Sequence, residues 1–277
     1  TIASDGEYQA TSGTTTITKG SATAGHSGQP SAIEVKSGGT FTNNDGTVLL
    51  SSAYDQDLEF DGTGNMHHLT INKSDNDVIH NSDLTIEGDL SITLATAHTF
   101  RPNTGSRTLS VTGDVTIVEG KLGDITNYTG AISFGSLEIQ SGGEYIATSG
   151  TTTITSEPTS GFNLSNSGTF THNKGTVKVT CATQTTLTGF SGSNAFFNFT
   201  YAGTGSGQDQ ICGANTDFFG QVVIDSANSE LQMQQHTFNL YDGIRIKQGG
   251  WDIGSSDETG TINVYGPVRN VGGSITA

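Results

Sequence analysis

Two apolar residues spaced by two, a glycine, and two more apolar residues spaced by two recur along this chain about every 24 residues. Leu84, Ile86, Gly88, Leu90 and Ile92 form one instance. Leu109, Val111, Gly113, Val115 and Ile117 form the next, then Ile132, Phe134, Gly135, Leu137 and Ile139. Looser versions begin at Phe238 and Ile262. Each half alternates apolar and polar residues, the pattern of a half-buried strand, and the glycine permits a bend between halves. So short a unit cannot bury its own apolar face, whereas stacked copies bury a continuous one. The period therefore predicts an all-β chain folded as a β-solenoid, a parallel β-helix with about 24 residues per coil. The length allows eleven or twelve coils, a rod roughly 55 Å long at about 4.8 Å per coil. Val111 should then stack directly on Ile86, roughly 5 Å away.

A longer repeat overlies the short one. Gly6–Thr18 recurs at Gly143–Thr155 with one substitution in 13. Gly39–Val48 recurs at Gly168–Val177, so the second copy is shorter between the two blocks. The chain reads as a single solenoid of two long repeats, about 6–141 and 143–273. The competing arrangement is a large β-sandwich with hairpins at the Asp-Gly pairs 5–6, 45–46, 61–62 and 242–243. The regular coil period and the long matching blocks favour the solenoid.

Composition agrees. Of 277 residues, 38 are Gly, 43 Thr and 29 Ser, while only 14% are charged. Helix formers are too scarce for a bundle, and four prolines without a Gly-x-y period exclude collagen. The net charge is −16, which repels phosphate backbones and argues against a nucleic-acid partner. No run approaches the roughly 20 apolar residues of a membrane helix, so no membrane insertion is expected. Both ends fall in mid-pattern: Gly272 to Ala277 resembles the Gly142 to Ala147 opening. A window from a longer repeat array, or copies stacked head to tail, would satisfy open edges of that kind.

Side-chain period two places Ile17, Phe41, Leu69, Ile71, Ile154, Phe170, Phe199, Val223, Leu240 and Ile246 inside, with Thr14, Thr16, Thr18, Thr151, Thr153 and Thr155 outside. The densest acidic stretch holds Asp55, Asp57, Glu59, Asp61, Asp75, Asp77, Asp83, Glu87 and Asp89. Most fall at turns or outward positions, where solvated acids are the default. The matching stretch from Gln184 to Gly207 has no acid at all, so a paired-carboxylate sugar hydrolase is disfavoured. Asp55, Asp57, Asp61, Asp75 and Asp77 are the candidate ligands for a structural calcium; no other cofactor is expected. The oxygen-rich Asn43-Asn44-Asp45-Gly46 turn has a twin, His172-Asn173-Lys174-Gly175, whose lysine argues against calcium there. Cys181 and Cys212 fit either a disulfide, which would suit an extracellular setting, or two buried thiols. Histidines at 26, 67, 68, 80, 98, 172 and 236 are scattered; adjacent His67 and His68 on a strand would face opposite ways. Trp251 lacks aromatic neighbours in sequence, and the sequons at Asn72, Asn127, Asn163 and Asn198 matter only where the source glycosylates.

The blocks SGTTTIT, GTFTHNKGTVKV, HHLTINKS and LTIEGDLSIT resemble the repetitive β-solenoid fibre and adhesin proteins of bacteriophage and bacterial surfaces. The likeness spans nearly the whole chain, in motifs built mostly of Gly, Thr and β-branched residues. It implies a non-catalytic structural rod at a cell surface, outside the cell or on a virion. Its partners would be further copies of the repeat, in the same chain or in a filament, and a receptor or glycan. It carries over no catalytic residue. The alternatives are a tailspike-like module that binds or cleaves polysaccharide and, from the outward Thr-x-Thr rows, an ice-binding solenoid.

Overall fold

The computed structural model describes residues 1–20, 31–124, 128–155, 164–182, 185–205, 210–232, 235–252 and 260–276. Its strands pair in parallel with strands about 23 residues away, forming a β-solenoid of about nine turns. The only helical element among the described residues is a 3-10 turn at Gly192–Asn194. No helix there is long and apolar enough to cross a membrane.

Each coil has three faces. The strand Leu109–Leu122 shows why: it pairs with 132–134, then 136–139, then 142–145, with register shifts at the two bends. In chain order the faces are I, II and III. Ile2 and Val35 open face I, Tyr8 and Phe41 face II, and Thr15 and Val48 face III. On face III one unbroken column runs Thr15, Val48, Leu69, Leu90, Val115, Leu137, Leu164, Leu187, Cys212. The ladder resumes from Gln210 through Leu231 and Trp251 to Ile275. The eleven or twelve coils taken from length are corrected to about nine turns, because coil length varies: Thr15 and Val48 are register partners although 33 residues apart. Val111 pairs with Ile86, as the period required.

The two long repeats do not sit above one another. In the first copy Thr14–Ile17 belongs to face III. In the second, Thr151–Ile154 pairs with Ile132 to Phe134 and with Thr176 to Val179, on face II. Tyr8 lies on face II, whereas Tyr145 pairs with Leu122 and Phe170 on face I. The second copy is therefore rotated by one face, because the chain from Gly6 to Gly143 does not make a whole number of coils. The outward rows of Thr14 and Thr16 and of Thr151 and Thr153 consequently lie on different faces.

The interior changes character along the rod. Aliphatic columns such as Leu69–Leu90–Val115 fill the first half. From Phe134 onward an aromatic stack takes over, through Tyr145, Phe170, Phe190, Phe196, Phe218 and Phe238. The Tyr145 hydroxyl inside it is paired, meeting Thr152 Oγ1 at 2.7 Å. One inward assignment is corrected. Val223 faces outward, because Val222 and Ile224 register with Phe199 and Tyr201; three consecutive β-branched residues leave the period ambiguous. Ile17 is half-buried rather than fully interior.

Candidate functional site

The acidic stretch forms a set of braces between coils. Asp55 Oδ1 accepts the Asp77 N–H at 2.9 Å and Asp77 Oδ1 the Thr99 N–H at 3.0 Å. Asp83 accepts from Thr108 N–H and Asp89 from Asp114 N–H, both at 2.9 Å. Each bond links one coil to the next. Carboxylates accepting backbone N–H groups make charge-assisted bonds stronger than neutral ones. The Glu87 carboxylate, bonded by Asn65 and Asn43 amides, is held below its ordinary range.

Of the calcium candidates, Asp55, Asp75 and Asp77 lie around basic side chains that the chain supplies itself. Lys73 is 4% exposed and its ammonium donates to the carbonyls of Tyr54 at 2.7 Å and Asp77 at 3.0 Å. Burial draws its pKa down to about 8, against the pull of the surrounding aspartates. His98 reaches Asp75 at 3.0 Å and Asp77 at 3.5 Å, and Arg101 reaches Asp77 at 3.6 Å. Asp57 bonds Asn81 at 3.4 Å, and burial raises its carboxyl. Asp61 belongs to a separate group with Glu59 and Glu34. Among the described residues no three His, Cys, Asp or Glu side chains converge as a metal would need.

The twin turns explain their own substitution. Asn43 Oδ1 accepts the Asp45 N–H at 2.9 Å, and His172 Nδ1 accepts the Lys174 N–H at the same distance. A ring nitrogen replaces an amide oxygen, and both turns keep two residues at positive φ: Asn44 and Asp45, Asn173 and Lys174. Gly46 and Gly175 follow because a Cβ would collide with the carbonyls of Thr11 and Thr148 in the coil beneath. Burial, with Lys174 nearby, lowers the His172 pKa and suits its acceptor role.

His67 and His68 are corrected as well. The strand begins only at His68, so the chain bends between them and their rings meet edge to face at 4.3 Å. His67 approaches Asp45 at 3.6 Å and His68 accepts the Asp89 N–H at 2.9 Å. His26 and the sequons at Asn127 and Asn163 lie outside the described residues. Asn72 is exposed, while Asn198 Oδ1 braces Gln221 N–H at 3.0 Å.

Cys181 and Cys212 are both buried, and no disulfide joins them. Cys212 stands in the face III column and burial pushes its thiol well up. A water-soluble thiol reagent should label neither cysteine in the folded protein and both after denaturation; rapid labelling of either under native conditions would contradict this packing.

Sequence reading missed an outward aromatic row. At the corner between faces I and II, Phe219, Tyr241 and Tyr265 follow one another coil by coil. Ring centroids are 5.4 Å apart from Phe219 to Tyr241 and 5.1 Å from Tyr241 to Tyr265. Their exposures are 39%, 46% and 66%. Beside them on face I, Asn239 donates to Asp217 at 2.6 Å and Asn263 to Asn239 at 2.8 Å. The clue available in sequence was spacing alone, since each aromatic follows the last by close to one coil. No family model, curated protein or solved structure matches this chain. Its candidate chemistry is therefore what the coils themselves display: bracing acids along the first half and an aromatic corner along the second.

Proposed function

We propose that this chain is a non-catalytic structural rod, a segment of an extracellular, cell-surface or virion fibre or adhesin. The observation that carries the reading is the use of its polar groups. Four of the nine acids of the stretch, Asp55, Asp77, Asp83 and Asp89, are committed to coil-to-coil bonds with backbone N–H groups. Such bonds resist bending and local opening, which is what a rod under mechanical load needs. The rung-on-rung stacking along the whole ladder supports association with further coils of the same kind. Val268 and Ile275 are 49% and 43% exposed, although their register partners Ile244 and Trp251 one coil inward are buried. Adding a coil would bury this apolar surface in the same way.

Small-angle scattering should give an elongated particle, lengthening with concentration as copies stack. Val268→Glu with Ile275→Lys should abolish the lengthening. A compact particle, or lengthening untouched by these changes, would count against the reading. Incubation with bacterial and algal polysaccharides should release no oligosaccharide. Cleavage lost on changing one aspartate of 55–89 would replace the rod by the tailspike-like alternative.

A further inference from the structure

The chain holds 27 acidic and 11 basic residues, and only four of the latter are arginines. Two of those four, Arg245 and Arg269, are direct register partners on adjacent coils of face II. Both point outward, since Ile244 and Ile246 flank Arg245 and are buried. Parallel rungs lie about 4.8 Å apart, and like charges at facing strand positions are destabilising. Several other cations have a carboxylate partner: Lys36 meets Glu34, Arg101 meets Asp77, Lys121 meets Glu144, and Lys247 meets Asp225 at 2.9 Å. Among the described residues no carboxylate comes within ion-pair distance of Arg245 or Arg269. A strongly acidic protein thus holds two arginines in register on its surface with no carboxylate in ion-pair reach among the described residues.

The same two coils carry the outer end of the aromatic row. Arg245 follows Tyr241 by four residues and Arg269 follows Tyr265 by four, so a tyrosine–arginine pair repeats on consecutive coils. The two tyrosine rings are stacked, 12° from parallel. Exposed tyrosine edges and hydroxyls suit the mixed apolar and hydroxylated surface of a sugar. A guanidinium matches a carboxylate in a bidentate pair. We propose that Tyr241, Arg245, Tyr265 and Arg269 form a binding strip for an acidic polysaccharide, with a uronic-acid carboxylate on each arginine and the sugar body along the tyrosines. Charge complementarity selects this occupant over a neutral glycan, which would leave the arginines unneutralised. Two arginines give carboxylate-sized contacts for one or two uronates but not the continuous basic track a phosphate polymer needs, and the −16 charge of the chain opposes either polymer beyond this strip. The inference goes beyond the rod reading and stands without it.

A short oligogalacturonate is the probe, titrated calorimetrically at low and moderate salt, with a neutral galactan oligomer and a single-stranded DNA oligomer as comparisons. The oligogalacturonate should bind, more weakly as salt rises, and the neutral oligomer should bind far less. The double variant Arg245→Gln, Arg269→Gln should weaken binding about tenfold or more, since a charge-assisted hydrogen bond is worth about a decade in affinity. Arg245→Lys with Arg269→Lys should restore part of it, because charge returns without the bidentate fork. Tyr241→Ala with Tyr265→Ala should weaken binding several-fold. All four side chains are at the surface, so the fold should survive, and unchanged circular dichroism would establish that. The proposal fails if the wild-type chain does not bind the uronate, if the arginine double variant binds it equally, or if the neutral oligomer binds as well. Tighter binding of DNA through the same arginines would overturn it in favour of a nucleic-acid surface.

Discussion

Truncating Phe196 to alanine should destabilise the protein by about 4 kcal/mol, the middle of the range for removing a buried phenylalanine. The ring is completely buried. It stacks on Phe190 at 4.4 Å and meets Phe199 at 5.3 Å, Phe170 at 5.4 Å and Phe218 at 5.7 Å. These neighbours belong to the same coil and to the coils on either side, so one deletion opens a cavity shared by several rungs. Partial collapse is opposed by the ladder itself: the Phe196 N–H is held by the Asp217 carbonyl and the Phe219 N–H by the Phe196 carbonyl. Solenoid stability is a sum of coil terms and nearest-neighbour interfaces. The damage should therefore be local. Hydrogen exchange should quicken in the coils from Leu164 to Ile224, while amides of the Leu69, Leu90 and Val115 rungs keep their protection. Urea denaturation of the variant beside Phe219→Ala checks the size, since Phe219 is partly exposed and its loss should cost much less. A cost for Phe196→Ala below about 1 kcal/mol would show that the aromatic stack is not what holds this half together.

The contrast between Phe196 and Phe219 also shows where the sequence is legible and where it is not. Period two decides which residues face in, and it places Leu69, Ile71, Phe170 and Ile246 correctly. The period near 23 residues identifies the stack. What sequence cannot supply is the phase between coils, because coil length varies. Thr15 pairs with Val48 and Val48 with Leu69, so the first of these coils is half as long again as the second. Two copies of the Thr-Thr-Thr-Ile block consequently end on different faces although their sequences agree. The tyrosine–arginine strip is invisible for the same reason: its four members become neighbours only after register is known. Most acids of 55–89 are readable as surface residues, although Asp55 is buried, but their role is not, since each brace depends on which backbone N–H lies one coil away. In the twin turn, where Lys174 argues against calcium, His172 in place of Asn43 is the exchange of one hydrogen-bond acceptor for another.

Acidification from pH 7 to pH 4 should cost the wild-type protein about 3 kcal/mol through His80 alone. The residue is 1% exposed and stands in the face I ladder between Leu58 and Pro102, with the Phe100 ring 5.7 Å away. Burial among these groups disfavours the imidazolium and draws the pKa down to about 4, although the Ser82 carbonyl, 2.9 Å from Nδ1, works in the opposite direction. The unfolded chain keeps an ordinary histidine, with a pKa of about 6.5. Between that value and pH 4 the unfolded state therefore binds a proton that the folded state refuses, and stability falls as the pH falls through that window. Above the window both states are neutral and the dependence vanishes. Carboxylates held low in the fold, such as Glu34 and Glu87, also lose stabilisation in acid, so the histidine must be isolated by difference. His80→Asn keeps an N–H donor for the Ser82 carbonyl and cannot titrate. It should lower stability at pH 7, where a smaller side chain packs less well against Phe100, yet lose about 3 kcal/mol less than wild type on going to pH 4. Parallel stability curves for the two proteins across that range would mean that His80 accepts its proton without leaving the ladder, and that the coil around it opens to water more readily than its packing indicates.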